Sequence, residues 1–235
     1  MQEITHEHHN VASAHHGDKK HDFTLEEAFG FGWDRTKKFW ATMILIGVIT
    51  MLVSFVFGAI GGYLGEMGGM GEFVSFFIVL ASYAVSFWLS YNTVKMILKM
   101  TDGHKVDIKE LFYFDDMSAN KVGMYFLANL AYGLVVLVGL VLLIIPGIYF
   151  GVKYMFVPYL VLDKDMGIAD AFKKSADMTD GKIWKLIGVS FLSFGIVIVG
   201  LIALLIGIIP AIILITFAST FIYRKLHAHQ LAFYI

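Results

Sequence analysis

The chain predicts an all-α fold: a polytopic membrane bundle of six transmembrane helices, paired as three hairpins, each preceded by a short cytoplasmic interfacial helix. Three observations lead there. Of 235 residues, 58% are hydrophobic and 16% are charged, against roughly half and about a quarter in a soluble domain. The apolar residues fall in runs of about 20, the length that crosses a bilayer core and more than a soluble domain of this size can hide. The basic residues are sorted to one side. Of the 18 Lys and Arg, all but Lys153 lie in the N-terminal segment, the 95–121 and 164–185 loops or the C-terminal tail.

Residues 1–21, "MQEITHEHHNVASAHHGDKKH", have no periodic apolar pattern and read as a disordered His-rich tail. They do not form a cleavable signal peptide, which needs an apolar stretch. The remainder, 22–235, reads as a single integral membrane domain. It opens with "TLEEAF" (24–29), where Thr24 and Glu27 have capping-box spacing. Leu25, Phe29, Trp33 and Trp40, with Gly32, then form an apolar face near i, i+4 spacing, while Arg35, Lys37 and Lys38 point to headgroups. Spans follow at 40–63 and 73–95, joined by the glycine-rich "GGYLGEMGGMGE" (61–72). "DIKELF" (107–112) precedes spans at 122–145 and 147–163, and "GIADAF" (167–172) precedes spans at 183–206 and 208–224.

The last four spans follow from length. The apolar blocks Val122–Asp163 and Ile183–Arg224 each run about 42 residues, roughly 63 Å as one helix and about twice a bilayer core. Each must double back, and "IIPG" (144–147) and "IIPA" (208–211) mark the places. Proline has no N–H to leave unsatisfied and starts a helix well in its first turn, so Pro146 is a turn and not a kink. Pro158, near the other end of its span, reads as a bend. The connections at 61–72, "IIPG" and "GIIPA" contain no Lys or Arg, so the basic loops and both termini are assigned to the cytoplasm.

The three cytoplasmic segments are alike. Leu25, Glu27, Ala28, Phe29 align with Ile108, Glu110, Leu111, Phe112 and with Ile168, Asp170, Ala171, Phe172. Downstream, Asp34-Arg-Thr36, Asp116-Met-Ser118 and Asp177-Met-Thr179 recur, each with a Lys close behind. The Thr or Ser reads as N-cap of the next span and the Lys as a headgroup anchor. The repeat units, about 24–100, 107–163 and 167–226, each hold an even number of spans, which makes them parallel repeats.

"FGFGWDRTKKFW" (29–40), "LLIIPGIYFGVKYMFVPYLVLDKDMGIADAFKKSADMTDGKIWKLIG" (142–188) and "FIYRKL" (221–226) resemble a broad group of uncharacterised bacterial six-helix integral membrane proteins. That group is related to the membrane domain fused to some glycerophosphodiester phosphodiesterases. The resemblance spans roughly 23–226, with "PGIY…PYLVLD" its most specific part. It implies a bacterial inner-membrane protein and carries no catalytic domain with it.

Lys153 stands well inside its span, and an ionisable residue there is a candidate intramembrane contact for a substrate or a lipid headgroup. The plainer alternative is a snorkelling anchor or inter-helix tie. Tyr149 and Tyr154 are placed to give it cation–π or hydroxyl contacts. Ser82, Ser86 and Ser90, four residues apart, read as a helix-packing stripe. Asn92 and Asn129 read as inter-helix ties. The His tail (His6, His8, His9, His15, His16, His21) lacks a fixed ligand geometry, and His227 and His229 carry less weight still, so no metal is assigned.

Two acidic groups, Asp102, Asp107, Glu110, Asp115, Asp116 and Asp163, Asp165, Asp170, Asp177, Asp180, are interleaved with Lys and read as solvated faces. No cysteine is present, which excludes disulfides and thiolate chemistry. A net charge of −1 gives no reason to expect nucleic acid. No nucleophile–base set or phosphate loop stands out, and no cofactor is expected. The expected function is that of a non-enzymatic membrane protein in envelope maintenance or scaffolding, with the lipid bilayer as partner. A transporter or lipid-handling protein with a cavity between the hairpins is the first alternative, and a membrane-embedded enzyme using cytoplasmic carboxylates the second.

Overall fold

The computed structural model describes residues 23–113, 119–202 and 207–232. The His-rich tail, Asp115, Asp116 and the proposed N-cap Ser118 lie outside these residues, as does the side chain of His229. Among the described residues the chain is helical and has no strand. Six of its helical stretches are long and apolar enough to cross a membrane. The chain is a multi-pass membrane protein.

Helix α1 is Leu25–Glu66, one uninterrupted element of 42 residues. It begins at the expected capping box, where the Glu27 amide donates to Thr24 Oγ1 at 3.1 Å and the Thr24 amide donates to Glu27 Oε2 at 3.4 Å. The separate interfacial helix expected before the first span does not exist, since nothing between residues 24 and 40 breaks the ladder. Thr36 accordingly caps nothing: its hydroxyl donates to the Gly32 carbonyl one turn back, at 2.7 Å. The expected apolar face is also displaced. Ala28, Gly32, Thr36 and Phe39 are buried, whereas Leu25, Trp33 and Trp40 point outward. Ala28, Gly32 and Thr36 are small enough to let two helices approach, while the two tryptophans are left facing outward.

That approach is to the last helix, α8 (Ile208–Ala232). The first half of α1 lies antiparallel along it. Glu27 pairs with Lys225, Phe31 stacks on Phe221 at 4.6 Å, and Phe39 meets Phe217 at 6.1 Å. At Gly32 the backbones are so close that a Cβ would sit 2.7 Å from the Leu214 carbonyl oxygen.

The chain reverses at Met67–Gly69, where Gly68 (φ 68°) and Gly69 (φ 51°) supply the left-handed backbone that side chains avoid. The reversal is much shorter than the sequence suggested, because Gly61, Gly62 and Gly65 stay helical. Helix α2 (Met70–Thr101) then packs back on α1, with Ser75 Oγ donating to the Gly61 carbonyl at 2.7 Å. The second capping box also forms, but Asp107 starts only a 3-10 turn, Ile108–Phe112.

Helix α3 (Ala119–Leu142) ends one residue before α4 (Ile144–Lys153) begins. The reversal is made by Leu143, with extended backbone (φ −166°, ψ 148°), and Pro146 is the third residue of the new helix. Pro210 holds the same place in α8. In both, the missing N–H falls in the first turn, where amides have no intrahelical acceptor. A Cβ on Gly139 would lie 2.9 Å from Gly147 Cα, so the two arms touch backbone to backbone. Tyr132 donates to the Gly151 carbonyl at 2.9 Å lower down.

Three further helices follow α4: α5 (Val157–Lys164), α6 (Ile168–Thr179) and α7 (Ile183–Ile202). The span expected at 147–163 is therefore two helices, not one bent at Pro158. The sixteen-residue core against which α6 packs includes Phe156, Leu160, Ile222, Tyr223 and Leu226, all essentially inaccessible. Phe23 and Ala28, from the start of α1, are buried in the same cluster.

The close passage at Gly32 generates a paired prediction. Gly32→Ala, which must push against backbone, lowers stability in detergent by about 1–3 kcal/mol. Gly30→Ala, where a Cβ meets nothing within 4 Å, raises it by roughly 0.5–1 kcal/mol through helix propensity. Thermal unfolding followed by circular dichroism measures both.

Candidate functional site

Pro158, second residue of α5, has no N–H and cannot continue the ladder from α4. The Val157 amide turns instead to the Tyr154 carbonyl at 3.1 Å. The Lys153 carbonyl is thereby freed in an apolar setting, where an unpaired acceptor is costly. A hydroxyl from α6 takes it: Ser175 Oγ donates at 3.0 Å, with Thr179 Oγ1 beside it at 3.2 Å and 3.0 Å from the Ser175 and Ala176 carbonyls of its own helix. Both residues are fully buried. Thr179, expected as an N-cap, is the last residue of α6, and its hydroxyl lies beside the break in another helix.

Lys153 is the last residue of α4, so its ammonium stands at the negative end of that half-helix. Nζ lies 5.6 Å from the ring centre of Tyr149 and 5.9 Å from that of Tyr154. The structure thus brings together Lys153, Tyr149 and Tyr154. Tyr154 also leans on Phe172 of α6 at 5.0 Å.

The serine stripe runs along one face of α2 without being uniformly buried. Ser82 and Ser86 are half-buried, while Ser90 is exposed. Asn92 is the polar group that α2 uses, donating to the carbonyls of Leu111 at 3.0 Å and Tyr113 at 3.3 Å and so holding the 3-10 turn. Asn129 bonds back to its own helix, at Tyr125 (2.8 Å).

Sequence reasoning missed the strongest polar constellation. Arg224 of α8 forks onto Asp102 at the end of α2, with Nε–Oδ1 at 2.9 Å and Nη2–Oδ2 at 2.6 Å. Its Nη1 donates to Asp163 Oδ2 of α5 at 2.6 Å, and the Tyr223 hydroxyl donates to the same oxygen at 2.9 Å. Three helices are tied by one guanidinium, whose planar donors suit two carboxylates at once. In the sequence Asp102 and Asp163 belong to two acidic groups expected to be solvated. Nothing local marks them, because their partner is more than sixty residues away for each. The one available signal was Arg224 itself, a basic residue at the end of an apolar run.

A second tie outside the spans joins Lys99 to Glu110 at 2.6 Å, and Glu110 also accepts the Asp107 amide at 3.1 Å. Partial burial opposes ionisation of Glu110, but the bonds from Lys99 and the Asp107 amide outweigh it and hold the carboxyl below its ordinary 4.5. No group of three or more His, Cys, Asp or Glu among the described residues is arranged to hold a metal.

Comparison with protein-family models, curated proteins and solved structures gives no match. The site is read from its own geometry.

Two predictions come from these ties. Arg224→Ala strands the half-buried Asp163 and costs on the order of 2–4 kcal/mol in detergent unfolding, whereas Lys37→Ala, which removes an exposed pair with Asp34, changes stability by less than about 0.5 kcal/mol. For Glu110 the sign follows from a depressed folded value. Its contribution is fully present above 4.5 and is lost as pH falls through the folded value. The stability advantage over Glu110→Gln should be flat above about pH 5.5 and vanish on acidification, as urea titrations across pH would record.

Proposed function

We propose that the chain is a non-catalytic membrane scaffold of the bacterial inner membrane, built from three parallel repeats with both termini in the cytoplasm. The observation that carries this reading is the filled centre. Phe156, Leu160, Ile222, Tyr223 and Leu226 pack in one cluster and leave at most 1% of their surface accessible, which closes that part of the interior to a solute. Support for the repeats comes from one register position. Ala28, Leu111 and Ala171, each preceding the repeated Phe, are all at 0% exposure. Support for the orientation is the sorting of Lys and Arg. The resemblance along "PGIY…PYLVLD" is consistent with the bacterial assignment.

One observation favours the second reading, a transporter or lipid-handling protein. The fourth span is broken after Lys153, and interrupted helices are how transporters build midplane sites. Here the freed carbonyl already accepts from Ser175, which makes the break a structural joint.

The two readings separate by thiol labelling, for which the cysteine-free chain is well suited. Cysteines at Ala128 and Ala218, both nearly inaccessible, stay unreactive toward a membrane-impermeant maleimide applied to either face of oriented vesicles. Rapid labelling of both, from either side, would replace the scaffold with a water-filled path.

A further inference from the structure

The ammonium of Lys153 does none of the structural work usual for a lysine at a helix end. Among the described residues it makes no ion pair and no hydrogen bond, unlike Lys37, Lys99 and Lys225, each of which meets a carboxylate. Nor does it cap its own helix. The last four carbonyls of α4 have other donors: Phe150 has the Tyr154 amide at 3.0 Å, Gly151 has Tyr132 at 2.9 Å, Val152 has the Met155 amide at 3.5 Å, and Lys153 has Ser175 at 3.0 Å. What Lys153 touches is the pair of rings at 5.6 and 5.9 Å. The hydroxyls of Tyr149 and Tyr154 have no hydrogen-bond partner among the described residues either. One cation and two hydroxyls are therefore left without an acceptor. A lone ammonium beside an apolar face is costly, and an anion with charge-assisted bonds removes that cost.

Two features say which anion. Ile145, Tyr149 and Lys153 follow i, i+4, i+8 along one face of α4, and that face is outward: Ile145 is 80% exposed, Tyr149 38% and the neighbouring Ile148 39%. The cation thus ends an apolar stripe. Lys153 also lies against the start of α7. Thr179 Oγ1 is 3.2 Å from its carbonyl, the Lys182 amide donates to the Thr179 carbonyl at 3.0 Å, and α7 begins at Ile183. There Trp184 is 85% exposed, with Lys182 before it and Lys185 after it, the residue types that collect between acyl chain and headgroup. A flexible four-carbon stem carries the Lys153 ammonium toward that boundary. A ligand anionic at one end and hydrocarbon along the rest matches both features. We propose that Lys153, with the hydroxyls of Tyr149 and Tyr154, binds the phosphate of one anionic phospholipid whose acyl chain lies along Ile145 and Ile148.

The test uses the full chain in nanodiscs holding phosphatidylcholine and phosphatidylglycerol at equal mole fraction, with retained lipid counted by native mass spectrometry. The unaltered chain keeps one phosphatidylglycerol in preference to phosphatidylcholine. Lys153→Met, which keeps the stem and removes the charge, lowers that preference by about fivefold, and Lys153→Arg retains most of it. Lys37→Met, which breaks an exposed pair with Asp34, leaves it unchanged. Tyr149→Phe/Tyr154→Phe preserves both rings and lowers the preference with Lys153 intact, which supplies the answer if Lys153→Met does not fold. Equal retention of the two lipids, a preference that survives Lys153→Met, or displacement of the lipid by soluble glycerol phosphate overturns the proposal.

Discussion

A backbone carbonyl in hydrocarbon has no water to turn to, and the arrangement of this protein depends on how each such group finds a partner. Uninterrupted helix is the default. Every departure from it sits where some other group has taken over. At Leu143 and before Ile208 the chain reverses with proline three residues further on, so the amide that would have gone unpaired is missing. After Lys153 the ladder breaks in mid-span, and α6 supplies the Ser175 hydroxyl to the orphaned carbonyl, with Thr179 beside it. That requirement explains why α6 packs into the bundle with Ser175 and Thr179 inward and does not lie free on the surface.

The two ends of the helices are held by different means. Toward one end, Arg224 joins α2, α5 and α8 through two carboxylates, and Lys225 reaches Glu27 of α1. Toward the proline turns, contact is by close backbone approach, Gly139 on Gly147 and Gly200 on Gly207. Large side chains there, such as Leu142 to Ile145, face outward. Ionic ties need some water to offset desolvation, while glycine contacts gain by van der Waals packing alone. The division follows what each environment can support.

Much of this was legible from residue order. Apolar run length gave the number of membrane-long helices, and Thr24 with Glu27 and Asp107 with Glu110 marked true helix starts, because capping is a local interaction. The prolines marked the reversals to within a few residues. What failed was anything decided by tertiary partners. Nothing in "WDRTKKFW" says that Thr36 faces α8 and Trp33 faces out. The fusion of the first expected interfacial helix with its span follows from a ladder that no residue interrupts, and spacing alone does not reveal whether a loop intervenes. Asp102, Asp163 and Arg224 come together only once α2, α5 and α8 are placed. The Lys153–Tyr149–Tyr154 group was visible because all three lie within six residues, on either side of one helix end.

The reading of the centre as a joint, in place of a transport site, depends on the Lys153 carbonyl being satisfied from within. Isotope-edited infrared spectroscopy of a chain carrying ¹³C=¹⁸O at Lys153 measures that group alone. Bonded to the Ser175 hydroxyl, its amide I band rises in Ser175→Ala/Thr179→Val, which removes both nearby hydroxyls. A band that does not move in the double variant would mean that the fourth span runs unbroken, and the account built on its interruption would be wrong.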